Sequence, residues 1–183
     1  TSSISVYGDR IKYPNIRVGE PLRPSLGDEY AKTKIAAEKI IQASGLKWSI
    51  FRLCGILTKQ LSIQPLMFHM PLGTALEWCH ASDAGLALAN AVECASLSGR
   101  IFNLGGGQNC RAVAHDFLKT MLNIFGIDFS ALPKHAFATR NFHSGFYTDG
   151  EDLNKELGFQ RATLQDYYTS AKRRVPPWKR TLM

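Results

Sequence analysis

At 183 residues, 45% hydrophobic and 20% charged, the chain has the make-up of an ordinary globular protein of one large domain or two small ones. No apolar run has the length of a bilayer span, and TSSISVYGDR lacks the basic-then-apolar layout of a secretory signal, so we expect a cytoplasmic protein with no membrane partner. The net charge of +7 comes largely from Lys172, Arg173, Arg174, Lys179 and Arg180 near the C-terminus, which makes it a tail property and argues for no nucleic-acid partner.

Taken in chain order, residues 1–6 read as the end of a strand, with β-branched Ile4 and Val6. Residues 8–27 carry Gly8, Pro14, Gly19, Pro21, Pro24 and Gly27, and read as a long irregular loop of the kind that is usually functional. Ser25 or Asp28 can cap a helix over 29–44, in which Ala36, Ala37, Ile40 and Ile41 recur at helical spacing before Gly45 ends it. LKWSIFRL then reads as a strand covered on both faces. Strand, loop, helix and strand in this order form a βαβ signature. LEWCH (76–80) is strand-like, and SDAGLALANAVECA is a helix capped by Ser82 or Asp83. GRIFNL (99–104) is a strand closed by three glycines, and 112–125 is an amphipathic helix. Past Pro133 the pattern is less regular, with short helices near 149–157 and 163–174. The class is α/β.

Four cysteines, Cys54, Cys79, Cys94 and Cys110, form no CxxC and read as reduced, mostly buried thiols. Cys54 is expected to pack rather than to attack, since nothing nearby would stabilise its thiolate. His69, His115, His135 and His143 have no metal-ligand spacing. HSG (143–145) lacks the first glycine of G-x-S-x-G, which excludes that hydrolase motif. The chemistry rests on Tyr30 and Lys34, four positions apart and therefore on one helix face. An ammonium there favours the ionised phenolate, which can exchange a proton with an alcohol or carbonyl, and it can also donate to the ribose of a nicotinamide cofactor.

SSISVYG, the proline-containing loop, YAKTKIAAEKII and LKWSIFRLCGIL together resemble the extended, epimerase/dehydratase branch of the short-chain dehydrogenase/reductase superfamily. The resemblance runs on through WCHASDAGLALANAV (His80, Asp83), IFNLGGG (Asn103, Gly105) and TDGEDLNKELGFQRATLQDYY. It implies a catalytic set of Ser3, Tyr30 and Lys34, with NAD or NADP as cofactor. Ser2, Tyr30 and Lys34 would adjoin that cofactor, and the backbone of Leu53, Cys54, Gly55 and Ile56 would lie along the nicotinamide. Ser3, Gly55, His80 and Arg140 would face a small-molecule substrate such as a sugar or nucleotide sugar. A homodimer built partly on the helix from Tyr30 is also implied.

The chain departs from that pattern in three places. Gly55 stands where the family has a substrate-contacting Asn, and the stretch around Glu77 has no match for the usual Arg. No glycine-rich phosphate loop is present. GGGQNC is no substitute, because Cys110 occupies a position that needs Gly or Ala. The expected fold is therefore an incomplete Rossmann-like doubly wound parallel sheet plus a smaller mixed α/β substrate-binding lobe. Residues 1–58 would be the C-terminal half of the cofactor domain and 59–183 mainly the lobe, with 80–106 returning to the sheet. We expect such a chain to be a fragment that binds dinucleotide poorly alone. The rival expectation is a non-catalytic scaffold that keeps the fold.

Overall fold

The computed structural model describes residues 1–61 and 64–176. Thirteen regular elements follow one another: β1 (Ser2–Ser3), β2 (Asn15–Ile16), α1 (Glu29–Ala43), β3 (Ser49–Leu53), β4 (Gly55–Leu57), β5 (Ala75–His80), α2 (Ala81–Glu93), β6 (Arg100–Leu104), β7 (Arg111–Val113), α3 (Ala114–Ile124), β8 (Phe146–Tyr147), α4 (Gly150–Leu157) and α5 (Leu164–Arg174). The fold is α/β. β3 lies between β1 and β6, all parallel, with Ser3 opposite Leu53 and Leu53 opposite Leu104. A second sheet places β5 between parallel β4 and antiparallel β7, and β2 pairs with β8. Because β3 and β4 are separated by Cys54 alone, the two larger sheets meet there, where Cys54 N–H donates to the Leu104 carbonyl at 3.1 Å.

Each larger sheet has its own core. Ile4, Val6, Phe51, Leu104 and Leu153 pack beneath the first, where Phe51 and Phe102 stack at 5.8 Å across neighbouring strands. Leu57, Met70, Leu76, Phe117 and Leu164 fill the second, under α3 and α5. Helix ends follow local chemistry. Asp28 caps α1, Thr163 and Asp166 form a capping box on α5, and Gly158 closes α4 in the left-handed region. Lys172, Arg173 and Arg174 sit in the last turn of α5, where cations complement the helix dipole; Lys179 and Arg180 lie outside the described residues.

Several sequence expectations shift. The first strand stops at Ser3, and Ile4–Tyr7 tighten into a 3-10 turn, with the Ser3 hydroxyl accepting from Ser5 N–H at 3.2 Å. The 8–27 loop contains β2. The helix expected from 112 begins at Ala114, because Ala112 and Val113 belong to β7. Neither Ser82 nor Asp83 caps α2, which starts directly from β5. Asp83 instead accepts from the N–H groups of Arg161 and Ala162, both at 2.9 Å, tying α2 to the turn before α5. In α1 the expected apolar stripe looks outward: Ile40 is 70% exposed, whereas Ala31 and Glu38 are the residues buried against the sheet. Among the described residues, no helix is long and apolar enough to cross a membrane, and no group of His, Cys, Asp and Glu could hold a metal ion.

Candidate functional site

Asp28 accepts from Ala31 N–H at 2.9 Å and so fixes the first turn of α1, the turn that carries Tyr30. Tyr30 is 54% exposed. The Lys34 ammonium sits over its ring, 5.5 Å from the centroid, and donates to the Thr1 carbonyl at 3.2 Å. Both side chains therefore share a face, beside Thr1 at the start of β1. An ammonium has three donors, so the one bond to Thr1 leaves capacity for a ligand.

Beside Ser3 opens a cleft of about 510 Å³. Its walls combine Ser3 and the Cys54–Thr58 segment with Met67, Met70, Trp78, Phe117, Leu118 and Met121, and with His143 and Ser144. Of the residues singled out from sequence, Ser3, Cys54, Gly55 and Ile56 thus meet in one cavity. Tyr30 and Lys34 stand outside its walls, on the adjoining helix. Ser2 is buried opposite Arg52, and Leu53 is half-buried opposite Ser3. His80 is turned elsewhere: its Nε2 lies 2.9 Å from the Thr163 carbonyl, and its ring meets the Tyr167 ring edge-on at 6.0 Å. Arg140 is exposed and outside the cleft lining.

Gly55 has a local reason. It pairs with Trp78 across the β4–β5 ladder, and a Cβ added there would sit 2.6 Å from the indole ring carbons. The indole in turn stacks on Phe117 at 4.6 Å. The three glycines after β6 are crowded by protein in the same way. Cβ atoms would overlap the Glu77 carboxylate at Gly105, the Trp78 carbonyl at Gly106 and the Gln160 amide at Gly107. This turn is filled by the chain itself and is no phosphate cradle.

Two buried polar clusters were not visible in the sequence. In the first, Arg52 donates from Nε and Nη2 to both oxygens of Glu38, at 2.9 and 2.6 Å. Arg52 Nη1 also donates to the Tyr7 hydroxyl at 2.8 Å; that hydroxyl donates to Asn103 Oδ1 at 2.8 Å, and Asn103 Nδ2 donates to Asp149 Oδ1 at 2.9 Å. Burial pushes the Glu38 carboxyl up, but the bonds from Arg52 outweigh it and hold the group below its usual range. In the second cluster, Glu77 accepts from Arg111 Nε at 2.8 Å, Tyr147 N–H at 3.0 Å and Gly107 N–H at 3.2 Å. Here burial wins, and the Glu77 carboxyl is raised.

Burial also pushes the Cys54 thiol well above its ordinary value, and the thiols of Cys79 and Cys110 up to about 12 and about 11. These are packing groups and not nucleophiles. His143 is a cleft residue that sequence spacing passed over: its Nδ1 lies 3.0 Å from Asp28 Oδ2, and Phe142 stacks on its ring at 5.1 Å. Burial lowers its pKa, against the pull of Asp28. No signal in the sequence joins it to Asp28, since the two are far apart along the chain.

No protein-family model and no curated protein sequence matches the chain. Solved structures do. The dTDP-glucose 4,6-dehydratase of Bacillus anthracis str. Ames, in complex with NAD, superposes with a TM-score of 0.72 at 18% identity, covering 94% of this chain and 59% of that one. DesIV, a dTDP-glucose 4,6-dehydratase from Streptomyces venezuelae solved as a double mutant with NAD and DAU bound, gives 0.69 at 22% identity, covering 94% and 57%. The UDP-glucose 4-epimerase of Bifidobacterium longum, in complex with NAD+ and UDP, gives 0.69 at 18% identity, covering 94% and 61%. The chain therefore has the Rossmann-like fold of the NAD-dependent epimerases and dehydratases. It spans about three-fifths of the length of these structures.

Proposed function

We propose that the chain carries the catalytic set of an NAD(P)-dependent oxidoreductase, epimerase or dehydratase of the extended short-chain type, with Tyr30 as the proton-transfer residue. One observation carries this reading: Tyr30 and Lys34 share an exposed face of α1 beside the strand that bears Ser3, with the Lys34 ammonium 5.5 Å from the Tyr30 ring centroid. Nicotinamide, when bound, supplies the two-electron acceptor or donor that proton transfer alone lacks. The remaining chemistry belongs to the protein. Tyr30 takes the proton from a substrate hydroxyl as the carbonyl forms, and returns one in the reverse direction. The Lys34 charge stabilises the negative charge developing on the phenol oxygen and offers its remaining donors to ribose hydroxyls. The Ser3 hydroxyl, which already accepts from Ser5 N–H, orients the substrate oxygen by donating to it. The free, unpaired state of all four cysteines supports a reducing, cytoplasmic setting.

Replacing Tyr30 by Phe in the intact protein is expected to lower turnover by about 10²–10⁴-fold while leaving the fold and cofactor affinity unchanged. Steady-state kinetics following NAD(P)H, paired with a cofactor titration, makes the check. Near-wild-type turnover in the variant would remove Tyr30 from the mechanism.

A further inference from the structure

Resting on the oxidoreductase reading above, we infer that the cleft beside Ser3 takes a neutral, largely apolar alcohol or ketone and not a sugar nucleotide. The argument is one of charge and surface. At about 510 Å³ the cleft is in the range of sites that enclose a drug-sized molecule. Its lining is mostly apolar, and Met67, Met70, Trp78, Phe117, Leu118 and Met121 are part of it. Methionines line such surfaces where irregular apolar shapes must be accommodated.

Among the described residues, no lysine or arginine lines it. The two lining side chains that titrate near neutrality or below are Glu77 and His143. Glu77 is 1% exposed and paired with Arg111, so it offers an anion no positive partner. Burial lowers the His143 pKa against the pull of Asp28 and so favours its neutral imidazole. Lys59 and Arg140 are exposed and stand outside the walls. A diphosphate entering this cleft would lose its hydration without meeting a cation, which disfavours its binding. A neutral ring system would lose only apolar hydration, which favours binding. The polar lining from Ser3, Thr58, Gln60, His143 and Ser144 is uncharged, and suits one or two hydroxyl or carbonyl oxygens.

Fluorescence titration with prodan, a neutral naphthyl ketone whose emission shifts to the blue in apolar surroundings, tests this on the full chain. Saturable binding with a blue shift is expected, unaffected by excess UDP-glucose. Met121→Lys and the milder Met121→Gln are expected to weaken prodan by about tenfold or more and by a smaller factor, respectively. Displacement of prodan by UDP-glucose would overturn the inference, and so would Met121 variants that fold and bind prodan as the wild type does. The outcome is separable from that of the proton-transfer reading. Tyr30-dependent turnover of a UDP-sugar would sink the neutral-substrate inference and uphold Tyr30. Prodan binding lost on Met121 substitution, in a protein whose turnover ignores Tyr30, would do the reverse.

Discussion

Gly8 closes the V-Y-G turn with φ at +69°, and a Cβ there would overlap the Arg23 carbonyl oxygen. Gly19 also has a positive φ, at +97°, but nothing lies within 4 Å of where its Cβ would be. The pair separates backbone strain from collision. Gly19→Ala should cost about 1 kcal/mol from conformation alone, and Gly8→Ala about 2 kcal/mol or more, with the collision added. Urea denaturation midpoints of the two variants check the difference; equal shifts would show that the turn yields. The same turn shows what was legible at this scale. Ser3, Tyr30 and Lys34 could be nominated from sequence because they belong to short local patterns. Tyr7, one residue before Gly8, could not be given its role, because its partner Asn103 is 96 residues away. Gly55 was seen as a departure, but its cause, the Trp78 indole, is a cross-strand neighbour that no local window contains.

Helix α1 shows the limit of periodicity at the scale of an element. Its extent was readable from capping and spacing, yet the stripe of Ala36, Ala37, Ile40 and Ile41 marks the outward face. Ala31 and Ile35 pack inward, and Glu38 on Arg52 clamps the helix to the sheet, with side chains 3% and 5% exposed. The isolated presence of a glutamate between Ala37 and Lys39 gave no hint that it was the buried one. Removing one member leaves the other as an unpaired buried charge. Glu38→Gln is therefore expected to destabilise by about 3–5 kcal/mol, whereas Glu38→Met combined with Arg52→Met should cost less than either single change. Chemical denaturation of the two single variants and the double variant measures the coupling. A double variant as unstable as the sum of the singles would mean that the helix is held by something else. Since Lys34 lies one turn before Glu38, this clamp also sets where the Tyr30–Lys34 face stands relative to β1.

For the whole molecule, alternation of strands and helices was enough to give the α/β class, but the division into sheets was not readable, because it turns on the single residue Cys54 between β3 and β4. The distribution of buried charge across those layers predicts how stability changes with pH. His143 is held below its ordinary value of 6.5 by burial. The unfolded chain therefore takes up a proton that the folded one resists, and stability falls as pH drops through 6.5 towards the folded value. Glu38 is held below 4.5 by Arg52, so its contribution persists at neutral pH and is lost only as pH falls from about 4.5 through its lower folded value. Glu77 has the opposite sign: raised by burial above 4.5, it binds its proton first in the folded state and offsets part of the loss in the window just above 4.5. The expected profile is a decline on acidification through 6.5, a shallower stretch, and a steep fall below 4.5. Urea midpoints measured across this range should show it, and His143→Gln, which cannot take up the proton, should flatten the upper limb and leave the acid limb in place. A variant that kept the upper decline would assign it to a group other than the imidazole that packs between Phe142 and Asp28.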